Sequence, residues 1–412
     1  MGERSSGRAW WFVSVWLVLS VVLAGCSAAG ASGSRADGAP GQGGTSTAAP
    51  SVPVAPLRVT VSPSGDEPAP PGVPVTVSAS GGRLTAVLLQ DDRGVRYLGT
   101  MQPGQRRWTS TGTLPAGVQV TYHATARDSR GAAHTAVGTV RTLRPRVRLT
   151  TAISPLSGQT VGVGMPIVVR FNADVTDHAA VESRLTVHAS RPVVGAWSWA
   201  GDREVHWRPR EFWPAGTKVR LDVNLAGVDA GKGVWGMSDR TVPFTIGPSM
   251  ISVVDVKSHE MKVYRDGRLL RTVPVTTGKG GFLTRGGVKV ILEKYRHEIM
   301  DAATVGISRN SPEYYRLDVP YAMRVTWSGE FVHAAPWSTG DQGRVNVSHG
   351  CVGMSMANGR WLFDHSNVGD VVRVVGSPRR LESGNGYTDW NVSWARWTSD
   401  SATGPAPAAP LE

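Results

Sequence analysis

The sequence predicts a mainly β protein: two antiparallel sandwiches in tandem, then a third β-rich block carrying one helix. Three observations predict it. The 49 glycines and 27 prolines among 412 residues favour short strands and turns over long helices. Apolar residues recur in short alternating runs, separated by turn signals such as Asp91-Asp92-Arg93-Gly94. A chain of this length exceeds one compact core and suits roughly two to four domains. With 41% hydrophobic and 18% charged residues, most of it should fold. The formal charge of +12 suits an anionic environment, or solubility alone. No lysine- or arginine-rich run of the nucleic-acid kind occurs, so nucleic acid is not expected as a partner.

At the N-terminus, Arg4 and Arg8 precede an apolar stretch from Ala9 to Ala24. That is the pattern of a secretory signal, and it is short for a transmembrane helix. The stretch ends in Leu23-Ala24-Gly25-Cys26, which resembles the bacterial lipobox. The resemblance implies a signal peptide over 1–25, cut before Cys26, and a lipid on the Cys26 thiol that ties the chain to the membrane. An uncleaved membrane anchor is the alternative. Either places the remainder outside the cytoplasm. Only one other cysteine exists, Cys351, so lipidation of Cys26 leaves Cys351 without a disulfide partner. A lone thiol in an exported protein is a liability unless it is buried or used.

Residues 26–55 hold Ala, Gly, Ser, Thr and Pro almost exclusively, which reads as a flexible linker. Residues 56–145 form the first expected sandwich, with strands at Val73–Ser80, Arg83–Gln90 and Val118–Ala126. Residues 146–248 form the second. In it Val219, Leu221, Val223 and Leu225 alternate with polar residues, as in a strand with one buried face. Its aromatics Trp197, Trp199, Trp207, Phe212 and Trp213 suit either a core or a sugar platform. The third block, 249–377, opens with runs at Ile251–Val256, Met261–Tyr264 and Leu269–Val275, the last two joined at Asp266-Gly267. Further runs lie at Val288–Leu292 and Met323–Trp327, and Ser355 is positioned to cap a helix beyond Cys351. Residues 378–398 hold Trp390, Trp394 and Trp397 at the spacing of one helical face, and 399–412 read as a disordered tail.

The chemistry gathers in Ser328-Gly329-Glu330-Phe331-Val332-His333-Ala334-Ala335-Pro336-Trp337 and in Val347-Ser348-His349-Gly350-Cys351. A thiol needs its proton removed before it attacks, and an imidazole can take that proton and hand it to a leaving amine. His333 and His349 are both candidates. His349 is local to the cysteine, whereas His333 shares a strand face with Phe331 and folding can bring it opposite. Gly350 permits a tight turn, and its N–H with that of Cys351 can form an oxyanion hole. An inert buried cysteine beside two core histidines is the bland alternative.

The Ser-His-Gly-Cys run, with a His in an F-V-H-x-x-P-W segment upstream, resembles the L,D-transpeptidase family with a YkuD-type catalytic domain. Tyr295–Asp301 and Ser311–Arg316 look like the family's lid. Glu204–Pro209 and the Phe244–Gly247 boundary resemble members with two immunoglobulin-like domains. The resemblance implies a C-terminal extension packed back on the rest. It also implies attack of Cys351 on a peptidoglycan stem tetrapeptide, loss of D-Ala, and resolution of the thioester by a second diaminopimelate as a 3→3 cross-link. His333 would be base and then acid, oriented by the Ala334 carbonyl. Gly350 and Tyr315 would serve the oxyanion; Met300, Tyr315, Ser328, Gly329, Trp337 and Ser348 would meet substrate. His349 is grouped with the catalytic residues, with a supporting role preferred over direct proton transfer. No cofactor or metal is implied, and carbapenem β-lactams are the implied inhibitors. Two departures stand out: Gly353, where many members carry Asn or Arg, and Thr284-Arg285-Gly286-Gly287 in place of a Thr-Pro segment. The rival readings are a cysteine carboxypeptidase or endopeptidase of stem peptides, and a non-enzymatic wall-binding lipoprotein.

Overall fold

The structure is a computed structural model that describes residues 55–64 and 67–411. The expected signal segment, Cys26 and the linker up to residue 54 lie outside the described residues.

The first sandwich packs two sheets face to face. One holds Arg58–Ser62, Thr76–Ser80, Arg107–Ser110 and Gly99–Met101; the other holds Gly82–Asp91, Gln119–Asp128 and Ala133–Arg141. Alternation drives this, since Leu84, Leu89, Trp108 and Val120 point inward while their neighbours face solvent. The second sandwich is built from two sheets of five strands. Val219, Leu221 and Val223 are buried in Lys218–Asn224, as the pattern predicts. Trp197, Trp207 and Trp213 are buried too, and the indoles of Trp197 and Trp213 donate to the Leu185 and Met165 carbonyls. These three fill the core rather than form a platform.

The third block has two sheets. Arg268–Pro274, Glu260–Arg265, Met250–Asp255, Val371–Val375 and Gly287–Val290 make the first; Glu293–Asp301, Arg316–Arg324, Phe331–Ala334 and Val352–Met354 make the second. Asp266 and Gly267 both take positive φ, the geometry of the tight hairpin their pair predicts. The predicted strand over Met323–Trp327 ends at Arg324, because a turn closed by the Gly329 N–H on the Thr326 carbonyl at 3.3 Å, with Gly329 at φ +93°, takes the chain back toward Phe331. The helix Met356–His365 follows Cys351, and the Ser355 hydroxyl caps it by accepting from the Asn358 N–H.

The second sandwich and the third block share one continuous core, which includes Val163, Ile167, Val290, Leu292, Val371 and Tyr387. Their backbones also meet directly. The Gly162 N–H donates to the Val368 carbonyl at 2.8 Å, and the Gly164 N–H to the Gly369 carbonyl at 2.9 Å. A Cβ on Gly162 would sit 2.2 Å from the Asp370 nitrogen, so this joint needs glycine.

The C-terminal segment departs from expectation in two respects. Trp390, Trp394 and Trp397 do not share one helix: Asp389–Asn391 is a 3-10 turn, and Ser393 caps a separate helix, Trp394–Ser399. All three nevertheless converge on buried Arg208, whose guanidinium carbon lies 4.9, 5.3 and 4.7 Å from their rings. The expectation of a disordered tail over 399–412 is incorrect. Ala406–Pro407 pairs with Val194–Trp199, and Ala409–Pro410 pairs with Leu185–Ala189, so the tail adds an edge strand to each sheet. Buried Glu182 accepts from the Ser401 and Thr403 hydroxyls and from the Ala402 and Thr403 N–H groups. A polar, proline-rich tail lacks apolar mass, and hydrogen bonds to a distant carboxylate hold it instead.

Candidate active site

Two neighbouring strands place the chemistry. Phe331–Ala334 is buried throughout and runs parallel to Val352–Met354, with His333 opposite Gly353. Cys351 immediately precedes that second strand, so His333 and Cys351 open into the same cleft, a cavity of about 200 Å³. Tyr315, Met300, Trp337, Ser348 and His349 line it as well. Trp337 is half exposed and stacks on His333 with ring centres 5.9 Å apart.

The turn before Cys351 is heavily tied. Gly350 adopts φ +125°, which favours glycine. The Ser348 hydroxyl donates to the Cys351 carbonyl at 2.6 Å, and Thr284 donates to the Gly350 carbonyl at 2.8 Å. The Gly350 N–H donates to the Ser348 hydroxyl at 3.1 Å. In this turn the Gly350 donor is engaged by Ser348, so the oxyanion role expected of Gly350 requires that N–H to leave the hydroxyl. Ser348 likewise shapes the turn as well as lining the cleft.

The His333 Nδ1–H donates to the Ala334 carbonyl at 2.7 Å, which leaves Nε2 as the free basic nitrogen. Burial lowers the His333 pKa to about 4, against the pull of the Ala334 carbonyl. Burial pushes the Cys351 thiol up to about 12. Burial thus disfavours the charged form of each group in the resting site. The Cys351 thiol donates to the Gly329 carbonyl at 3.7 Å. Burial, then proximity to Cys351, raises the Tyr315 phenol to about 12, so it remains a donor.

His349 makes a different contact: its Nε2 pairs with the Glu313 carboxylate at 2.6 Å, which Lys279 also approaches at 2.6 Å. Its ring packs against Tyr315 and Phe282 at 5.0 and 4.5 Å. Glu313 lies within the predicted lid segment 311–316, so His349 ties that segment to the turn before Cys351. That contact favours support over proton transfer, and sequence spacing alone did not reveal it.

A second, more polar cavity of about 620 Å³ adjoins the first and shares Met300, Tyr315 and His349. Ser328 and Gly329 line this one, together with Glu298, Asp301 and Arg324. Ser328 also holds Asn385 through its N–H and hydroxyl. Gly353 lies in the smaller cavity, where an added Cβ would meet Ala335 and Thr276 at 3.0 and 3.1 Å. A bigger side chain there needs the neighbours to yield. Sequence reasoning missed Glu330, Lys289 and Glu382; no spacing rule flags an ion pair closed only by tertiary packing. Among the described residues, no group of three or more His, Cys, Asp or Glu forms a metal-ligand set.

A buried thiol, an imidazole held in one tautomer and an apolar cleft with a polar annex make an arrangement that can carry an acyl group on sulfur. Its frame is a β-rich catalytic domain on tandem sandwiches. The family model for a bacterial Ig domain matches residues 66–229, and that for the L,D-transpeptidase (YkuD) catalytic domain matches residues 249–374. L,D-transpeptidase 2 of Mycobacterium tuberculosis is 38% identical over 330 residues, covering 80% of this chain and 81% of that protein. L,D-transpeptidase 5 of the same organism is 33% identical over 348 residues, covering 82% and 76%. A solved L,D-transpeptidase in complex with imipenem is 38% identical, covering 56% of this chain and 100% of that one, with a TM-score of 0.49. The chain belongs to the L,D-transpeptidase family and is an L,D-transpeptidase with a YkuD catalytic domain behind immunoglobulin-like domains.

Proposed function

We propose that this enzyme joins peptidoglycan stem peptides by 3→3 cross-links between diaminopimelate residues, with Cys351 as nucleophile and His333 as base. The observation that carries the reading is the placement of the His333 and Cys351 side chains in one cleft, His333 on a strand and Cys351 immediately before its parallel neighbour. The donor is a tetrapeptide bound with its diaminopimelate–D-Ala bond at the sulfur. The Cys351 sulfur attacks the carbonyl carbon while its proton passes to His333 Nε2. The D-Ala amine leaves with that proton, and the donor stays as a thioester. A side-chain amine of a second diaminopimelate then attacks the thioester, giving a proton to His333. That proton returns to the sulfur as the new amide forms. The Cys351 N–H and the Tyr315 hydroxyl hold the oxyanion in both halves. Burial that disfavours both charged forms suits this sequence, because the proton moves only when a carbonyl is in place to be attacked.

The experiment is mass spectrometry of the enzyme's products from a disaccharide-tetrapeptide. A cross-linked dimer with released D-Ala is the expected result. Tripeptide alone, with water resolving the thioester, would make it a carboxypeptidase, and no turnover would remove the reading. A carbapenem, whose opened ring leaves an acyl group on sulfur, should add one drug mass to the protein. We also propose that a lipid on Cys26 anchors the enzyme outside the cytoplasm, facing the wall. Loss of membrane fractionation in Cys26→Ala is the expected outcome, and wild-type fractionation of that variant would refute it.

A further inference from the structure

The segment between Thr326 and Phe331 runs behind the nucleophile. The Gly329 carbonyl accepts from the Cys351 thiol at 3.7 Å. The next residue, Glu330, is buried, and a Cβ built on Gly350 would lie 3.4 Å from its carboxylate. Fully buried Lys289 grips one oxygen of that carboxylate. Arg285 grips the other twice, through its N–H at 3.0 Å and its guanidinium at 3.1 Å. Two cations thus face one buried anion, and the excess charge is met from outside the domain. The Arg285 guanidinium also pairs with Glu382, which lies in the loop that follows the last strand of the catalytic sheets. Asn385 of the same loop accepts from the Ser328 N–H at 2.9 Å and donates to the Ser328 hydroxyl at 2.8 Å. It also donates to Glu382 at 3.1 Å. The loop therefore holds the segment at Ser328 directly and at Glu330 through Arg285.

We propose that Glu382 and Asn385 are positioning residues of the active site, acting through Arg285 and Ser328 to hold the Gly329 carbonyl against the Cys351 sulfur and the Glu330 carboxylate beside Gly350. The proposal rests on Cys351 being the nucleophile. Its physical basis is orientation: the thiol's one acceptor selects the direction in which the sulfur lone pairs point, and attack on a carbonyl tolerates little misalignment. Arg285, a departure from the family pattern, acquires a role as the link between the C-terminal loop and the nucleophile. The two loop residues lie outside the substrate cleft and, in Glu382, on the surface. Changing them spares the core.

The test is the double variant Glu382→Gln/Asn385→Ala in the full chain, with Glu382→Asp as the conservative control. Single-turnover acylation of Cys351 by tetrapeptide should slow by about tenfold, with the half-saturating concentration within about twofold of wild type. Alkylation by iodoacetamide, followed on the Cys351 peptide, needs no fixed approach and should stay within about threefold. Glu382→Asp, which keeps the carboxylate, should retain most of the acylation rate. Amide exchange across residues 328–333 should quicken by about tenfold in the double variant. Parallel loss of acylation and alkylation would mean fewer folded sites and would overturn the proposal, as would an effect on affinity alone. A wild type that is alkylated but never acylated would remove the transpeptidase reading instead. In that event the exchange measurement still decides, because unchanged exchange overturns the positioning role whatever the substrate.

Discussion

Deleting residues 401–412 separates a docked tail from a loose one. In the intact chain Glu182 is 1% exposed and accepts from Trp199 at 2.8 Å, Ser401 at 2.6 Å, Ala402 at 2.9 Å, and Thr403 at 3.0 and 2.6 Å. The deletion leaves the Trp199 indole as its one remaining donor from this group. Water then reaches the carboxylate, so each lost bond counts at its net value of about 0.5–1.5 kcal/mol rather than at the penalty for an unpaired buried charge. The four bonds together contribute about 2–6 kcal/mol to the second sandwich. Calorimetry should show that domain's transition lower by roughly 10 °C or more. Glu182→Gln supplies the control. It should destabilise the full chain and be nearly neutral in the truncated one, a coupling of at least about 1 kcal/mol. An unchanged transition on truncation, or equal effects of Glu182→Gln in both backgrounds, would refute the reasoning.

Cys351→Ala should fold with an unchanged melting temperature within a few degrees, since the change is small (about 1–2 kcal/mol), while cross-linking and the carbapenem mass increase both vanish. Turnover by that variant would end the nucleophile assignment. With His333 lowered to about 4 and Cys351 raised to about 12, the acylation rate should be flat between roughly pH 5 and pH 9 and fall as His333 protonates near pH 4. An inflection near the ordinary histidine value of about 6.5 would show instead that burial does not depress His333, and a rate confined between a low and a high limb would mark a resting ion pair. His206, held between Asp389 and Glu204, has its pKa raised to about 9 despite burial. A raised value means the pairing stabilises fully below about pH 6.5 and is lost as pH rises through about 9. Docking of the C-terminal segment should therefore loosen above that pH in wild type and show no such pH step in His206→Gln, as read by tryptophan fluorescence.

Much of the site was legible in the sequence, because the information is local. Gly350 before Cys351 announces a turn that a side chain cannot make, and the alternation Phe331, His333 points the imidazole to the face where folding places the cysteine. Ser355 capping the helix and Asp266-Gly267 turning a hairpin follow from short-range chemistry in the same manner. His349 was ambiguous for a physical reason. Its spacing from Cys351 permits proton transfer, and what argues otherwise is Glu313, 36 residues away in sequence, accepting its Nε2.

By itself the sequence determined the strand alternation of both sandwiches and the turn that presents the sulfur, and it singled out Cys351 and His333 as the candidate nucleophile and base. Tertiary structure alone decided what the polar and aromatic residues of the C-terminal segment do. Trp390, Trp394 and Trp397 surround Arg208. Residues 401–403 satisfy Glu182, and Glu382 completes the pairing of Arg285. None of these contacts has a period. Each joins a charge to a partner roughly a hundred or more residues away, and the charges at Arg208 and Glu182 are buried, and that at Arg285 largely so, only once the chain has closed around them.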